Sequence, residues 1–202
     1  YFTTGHGEKD PDSDGADGLA TARKALIEEN YDIAKLLLAR ESAIPADCSM
    51  LAVAGPRTEL FASEKSLIME FLQKGGKLLI LLDPASPDSW SELLGEWGFK
   101  VGRDIVVDAS GFGQLFGTGP TMPIVSQYEE HAITRDFNLM TFFPEARSIS
   151  RGENPPAGLE FREIGKSTPR SWAETSPISG QAEITFDEGK DLRGPEIGRA
   201  HV

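Results

Sequence analysis

Gly75-Gly76-Lys77-Leu78-Leu79-Ile80-Leu81-Leu82-Asp83-Pro84 decides the fold of this chain. Two glycines end an amphipathic helix, and an unbroken apolar segment follows that stops abruptly at Asp-Pro. Alternation is missing, so both faces of this strand read as buried, as in a parallel sheet covered on both sides. Leu78 to Leu82 is therefore expected to be a central strand. Tyr1-Phe2-Thr3-Thr4 breaks into Gly5-His6-Gly7-Glu8 in the same manner. An apolar run that ends in small or polar residues is a strand arriving at the rim of a sheet. In open α/β sheets, ligands occupy the crevice outside those carboxyl ends.

The segments between these landmarks keep the same rhythm. An acidic loop at 9–15 leads to a helix from about Ala16 to Asn30, with Leu19, Ala22, Leu26 and Ile27 on one side and Asn30 as its stop. Ile33 to Leu38 and Met50 to Ala54 read as the second and third strands, the latter broken by Gly55-Pro56. Ser63 is placed to cap the next helix, with Glu64 in its first turn. Leu67, Ile68, Phe71 and Leu72 form its apolar stripe, and Gly75 ends it. A short helix near 89–97 and a strand near 105–107 continue the series. Strands and helices alternating at this spacing predict right-handed crossovers and an open, mostly parallel α/β sheet with helices on both faces. Beyond Asp108 the pattern loosens into Gly- and Pro-rich excursions, with short β-like pieces near 147–149, 160–164 and 182–186.

Composition narrows the class. The chain has 202 residues, a formal net charge of -12 and no Lys/Arg cluster able to neutralise phosphates, which argues against nucleic acid. Cys48 is the single cysteine, so intrachain disulfides and cysteine-based metal sites are out of reach. No run approaches the length of a membrane-spanning segment. The chain opens at Tyr1 inside a strand and reads as an excised portion, with any membrane anchor outside it. Residues 1–195 read as a single α/β domain. Glu196-Ile197-Gly198-Arg199-Ala200-His201-Val202 resembles a translated sequencing adapter, hence a non-native tail and a sheet truncated at its C-terminal side.

Candidate ligand-binding residues follow from strand-end placement. His6 lies between Gly5 and Gly7, whose lack of side chains would let a ligand approach the backbone, and Glu8 is near enough in sequence to orient it. The plainer reading makes Gly-His-Gly a tight turn with His6 tying the loop down. Asp83 closes the expected central strand and suits a hydroxyl or a cation, although Asp-Pro also simply begins turns. Asp10, Asp12 and Asp14 lack the glutamate of an EF-hand at the twelfth position. With His6 and His131 as the histidines outside the tail, no metal site and no cofactor are expected. Gly111 to Gly117 lacks the Lys-Ser/Thr of a phosphate loop. Its Phe112 and Phe116 are expected to cover a sheet edge or meet a partner.

Several stretches in order carry a family resemblance: Gly-His-Gly-Glu at 5–8, Gly55-Pro56, Ser63-Glu64, and Gly75 to Pro84. They continue with His131-Ala132-Ile133-Thr134, Phe143-Pro144-Glu145-Ala146-Arg147-Ser148, and Ser171-Trp172-Ala173-Glu174. Together they resemble the GldG-like auxiliary components of ABC-type transport systems, the gliding-motility auxiliary family. The resemblance implies a flavodoxin-like or class I amidotransferase-like fold. It further implies an extracytoplasmic, periplasmic location beside the membrane and ABC permease and ATP-binding subunits as partners. The expected function is non-catalytic, by contact with proteins or with a glycan-like ligand. Amidotransferase chemistry would need a cysteine on a strand-to-helix turn; the corresponding Leu82-Asp83-Pro84-Ala85 has none, and Cys48 precedes a strand. The rival expectation is a hydrolase of saccharides or amides using Glu8 and Asp83, with His6 assisting.

Overall fold

The computed structural model describes residues 1–115, 117, 119–178, 184–194 and 199–201. Contacts along the chain fall into two compact units, Tyr1–Trp90 and Ser91–Val202.

The first unit carries the parallel sheet. Its elements are β1 (Phe2–Thr4), α1 (Ala20–Glu28), β2 (Lys35–Leu37), β3 (Leu51–Ala54), α2 (Ala62–Gln73), β4 (Leu78–Leu81) and the start of α3 (Asp88–Gly95). The strands lie in the order β2-β1-β3-β4, and every pair is parallel. β3 holds the interior: Leu51, Ala52, Val53 and Ala54 are all buried. Ile68 of α2, Leu36, Leu38 and Trp90 complete the packed centre. Full burial of a side chain such as Ile68 or Leu51 contributes about 1.5–3 kcal/mol.

β4 is not central. It is the edge of the sheet, and Leu79 and Leu81 are each 44% exposed. An all-apolar strand reports what its two faces demand, whereas its place in the sheet depends on backbone partners that hydropathy does not encode. The interior position falls to the smaller Leu-Ala-Val-Ala of β3.

Helix termini follow local chemistry. Asn30 adopts φ 64° just past α1, and Gly75 adopts φ 87° just past α2. Both conformations stop a right-handed helix. α1 is shorter than its apolar spacing suggests, buries none of its residues and leaves Ile27 44% exposed. At α2 the capping position is Phe61 rather than Ser63, and the Glu64 carboxylate accepts a hydrogen bond from the Phe61 N–H at 3.0 Å. The acidic loop is held by cations: Lys35 Nζ lies 2.5 Å from Asp10 and 2.8 Å from Asp12, and Arg23 lies 3.2 Å from Asp12. Lys35 holds the Asp10 carboxyl below the usual carboxylate range.

The second unit is built from antiparallel pairs. β5 (Phe99–Val101) pairs with β9 (Ile149–Arg151), β7 (Ile124–Val125) with β8 (Thr141–Phe142), and β10 (Arg162–Gly165) with β13 (Arg199–His201). A three-stranded sheet runs β12-β11-β6, with β6 at Ile105–Asp108, β11 at Ser171–Glu174 and β12 at Leu192–Arg193. The strand expected at 105–107 is therefore present, but it pairs antiparallel with β11 instead of extending the parallel series. The pieces near 147–149 and 160–164 correspond to β9 and β10, displaced by up to two residues. Of the piece expected at 182–186, residues 182 and 183 lie outside the described residues and 184–186 form no strand. The observed architecture is thus mixed α/β: a four-stranded parallel sheet, several small antiparallel ones and few helices.

Buried carboxylates tie these short strands together. Asp104 accepts from the Ser148 N–H at 2.8 Å and from its hydroxyl at 2.6 Å, and Arg147 Nε donates to the Gly102 carbonyl at 2.6 Å. Asp108 accepts from the Ser110 N–H and from the Thr168 hydroxyl. For Asp191, burial pushes the carboxyl up, but hydrogen bonds from the Asp187 N–H and from the Thr175 N–H and hydroxyl outweigh it and hold the group low. Gly102 is fixed by one of these ties, because a Cβ there would sit 1.9 Å from Asp104 Oδ2 and 2.2 Å from Ser148 Oγ. Gly102→Ala is expected to cost about 3 kcal/mol through overpacking and a broken buried hydrogen bond. Urea denaturation of the full chain checks this, and an unchanged midpoint contradicts it.

Candidate functional site at the strand carboxyl ends

Because all four strands of the first unit run the same way, their carboxyl ends share one rim. β1 delivers Gly5 to Glu8 there, β3 delivers Gly55-Pro56, and β4 delivers Asp83. The two expected ligand-binding segments thus stand on the same edge, separated in sheet order by β3 alone.

The glycines have identifiable jobs. Gly5 turns at φ 113°, and a Cβ on it would meet Leu37 Cδ1 at 2.6 Å. Gly55 turns at φ 62°, and a Cβ on it would lie 3.0 Å from both Asp83 Oδ2 and Lys9 Cε. Lys9 bridges this floor: its N–H donates to the Ala54 carbonyl at 2.8 Å, and its Nζ lies 3.8 Å from Asp83 Oδ2. The outward surface of the rim is therefore a lysine and an aspartate laid over glycine backbone.

His6 lies beneath that surface, 2% exposed. Its Nδ1 is 3.2 Å from Thr58 Oγ1, and its Nε2 is 2.9 Å from Glu64 Oε2. The second contact is close but is not a well-directed hydrogen bond, and Glu64 Oε1 has no hydrogen-bond partner either. The ring stands edge-on to Trp90 at 5.4 Å and to Phe61 at 5.7 Å. The His6 carbonyl accepts from the Arg57 and Thr58 N–H groups. Glu8 holds the His6 backbone N–H at 2.7 Å, not the imidazole.

Sequence reasoning found His6 but missed the three residues that explain it: Thr58, Glu64 and Trp90. Glu64 left a signal, being an acid three residues into a helix start. Its contact with the histidine left none, since 58 positions separate the two.

The remaining candidates are dispersed. Glu8 and Asp83 each already hold a partner, and nothing in the geometry favours them as an acid–base pair. His131 Nδ1 accepts from the Ile133 N–H at 3.2 Å. The Gly111 loop opens one turn of helix, α4 (Phe112–Leu115), with Phe112 exposed; Phe116 lies outside the described residues. In the second unit, a hollow is lined by Arg170, Trp172, Phe186 and Arg193, the last stacked 4.1 Å from the Phe186 ring centre. No group of three or more His, Cys, Asp or Glu able to hold a metal occurs among the described residues. No helix among them is long and apolar enough to cross a membrane.

Cys48 is buried and free, and burial pushes its thiol up, away from the thiolate form that reacts. Alkylation of the folded chain near pH 8 is expected to be at least about tenfold slower than in urea, rising steeply only in more alkaline buffer. Equal rates folded and unfolded would contradict this.

The profile of the family described as ABC-type uncharacterized transport system matches residues 1–200. The chain belongs to that family. The match makes this protein an auxiliary component of an ABC-type transport system, as the family resemblance of its ordered motifs implied. No curated protein matches it. Among solved structures it is similar to the mmIFT52 N-terminal domain, at 17% identity and a TM-score of 0.63, over 85% of this chain and 77% of that one. At that identity the likeness concerns the fold alone.

Proposed function

We propose that this auxiliary protein works as a non-catalytic, extracytoplasmic docking module of its transport system. It would engage the permease and ATP-binding subunits, or a glycan-like ligand at the rim, in the manner of the GldG-like, gliding-motility branch. One observation carries the reading: the rim's reactive-looking groups are committed to holding the rim together. His6 is spent on Thr58 and Glu64, Glu8 on the His6 backbone, and Asp83 on Lys9. A general acid or base needs an open approach to substrate, whereas a preorganised contact surface needs rigid support. On this reading Gly5, Gly7, Glu8 and Asp83 supply the contact surface and His6 its foundation. A flavodoxin-like lineage is consistent with the parallel sheet and its strand-end rim.

The test is reconstitution. Candidate ABC permease and ATP-binding subunits from the same genome are purified with and without this chain, and their association and ATPase rate are compared. Co-elution with an altered ATPase rate supports the docking role. No association, together with turnover of saccharide or amide substrates by the chain alone, overturns it.

A further inference from the structure

The two edges of the parallel sheet are finished differently. At β2 the edge begins with Lys35, engaged by Asp10 and Asp12 of the acidic loop; a charged, covered edge resists further pairing. At β4 nothing comparable is present among the described residues. β4 has β3 on one side and no strand on the other among the described residues. Leu79 and Leu81 are exposed along it. The carbonyls of Lys77 and Leu81 accept from the Leu51 and Gly55 N–H groups of the β3 side. By the alternation of a strand, residues 78, 80 and 82 therefore point their N–H and C=O outward.

The sequence of this edge is nearly its own mirror image: Lys77-Leu78-Leu79-Ile80-Leu81-Leu82-Asp83. We infer that β4 pairs antiparallel with β4 of a second copy of this chain, about a two-fold axis at Ile80. In that register Ile80 faces Ile80 and Leu78 faces Leu82. These are the residues whose backbone groups point outward, so they form the hydrogen-bonded pairs of an antiparallel ladder. Leu79 faces Leu81 on one side of the joined sheet, gathering the exposed leucines of both copies into one patch. Lys77 faces Asp83 on that same side, twice by symmetry.

The charges select this arrangement. Parallel self-pairing would set Lys77 against Lys77 and Asp83 against Asp83, which is destabilising. A shift of the antiparallel register by one residue would oppose inward-facing and outward-facing backbone groups and lose the ladder. Asp83 can keep its long, half-exposed contact with Lys9 and face Lys77 of the second copy at the same time.

Sedimentation of the full chain over a dilution series tests the pairing, with circular dichroism confirming that each variant is folded. The parent is expected to dimerise. Lys77→Asp and Asp83→Lys each place like charges opposite one another at both symmetric contacts, and each is expected to weaken the dimer about tenfold or more. The double variant Lys77→Asp/Asp83→Lys restores opposite charges and is expected to return to within about threefold of the parent. Ile80→Pro removes the donor at the axis without touching the β3 side and is expected to abolish the dimer while leaving the fold intact. A parent that stays monomeric at the highest concentration overturns the inference, as does a dimer indifferent to these changes or a double variant no better than the singles. The readout needs neither the transporter subunits nor a ligand, so it stands or falls apart from the docking role.

Discussion

Replacing His6 with Ala is expected to destabilise the chain by about 3–5 kcal/mol, because it strands the Glu64 carboxylate in the interior. Glu64 is fully buried, and its Oε2 faces two groups, the His6 ring at 2.9 Å and the Phe61 N–H at 3.0 Å. Removing the imidazole takes away one of these and opens a void beside Trp90. Glu64→Ala is expected to cost less, about 3 kcal/mol, combining a lost helix cap with a void beside the His6 ring. Glu64→Gln keeps an acceptor for Phe61 and falls between Glu64→Ala and the parent. Because the two residues share one contact, the double variant His6→Ala/Glu64→Gln should cost less than the sum of its singles, by about 1 kcal/mol or more. Urea denaturation of the four proteins measures the cycle. If His6→Ala unfolds at the parent's midpoint, the imidazole is not structural, and an accessible ligand-contacting role becomes the better account.

The second large effect is expected at Trp90, whose side chain has no exposed surface. The indole packs edge-on to His6, and its N–H donates to the Thr58 carbonyl at 3.0 Å. Trp90→Ala removes a large buried ring and is expected to cost about 3–5 kcal/mol. Trp90→Phe keeps most of the apolar volume and loses one buried hydrogen bond, for about 1–2 kcal/mol. Thermal unfolding followed by calorimetry distinguishes them. A Phe variant as damaged as the Ala variant would show that the hydrogen bond, not the packing, carries the contribution.

What could be read from the sequence was local. Gly75 and Asn30 stop helices because their own backbone preferences suffice, and Gly55-Pro56 breaks β3 for the same reason. β3 itself, and the shared rim of His6 and Asp83, follow from the alternation of strands and helices. What failed was long-range in the plane of the sheet. The apolar run of β4 looks like a centre, yet strand order is decided by which backbones meet, and four leucines around Ile80 carry no information about that. The second unit resisted for a related reason. Its sheet pairs Trp172 with Val107 and is braced by the bond from Thr168 to Asp108, partners about sixty positions apart. Short antiparallel strands of that kind lack the helix-strand rhythm that made the first half legible. The family resemblance reached further than periodicity, since it rests on the order of short motifs rather than on hydrophobic alternation.

Thr58 belongs to no helix or strand, yet two distant stretches of chain converge on it through three contacts. Its hydroxyl meets the His6 ring, its N–H donates to the His6 carbonyl, and its own carbonyl receives the Trp90 indole. A connection pinned at that many points behaves as a keystone. Pulling on it loads the end of β1 and the start of α3 at once, so a force arriving at the rim would be shared between them instead of being absorbed by a yielding loop.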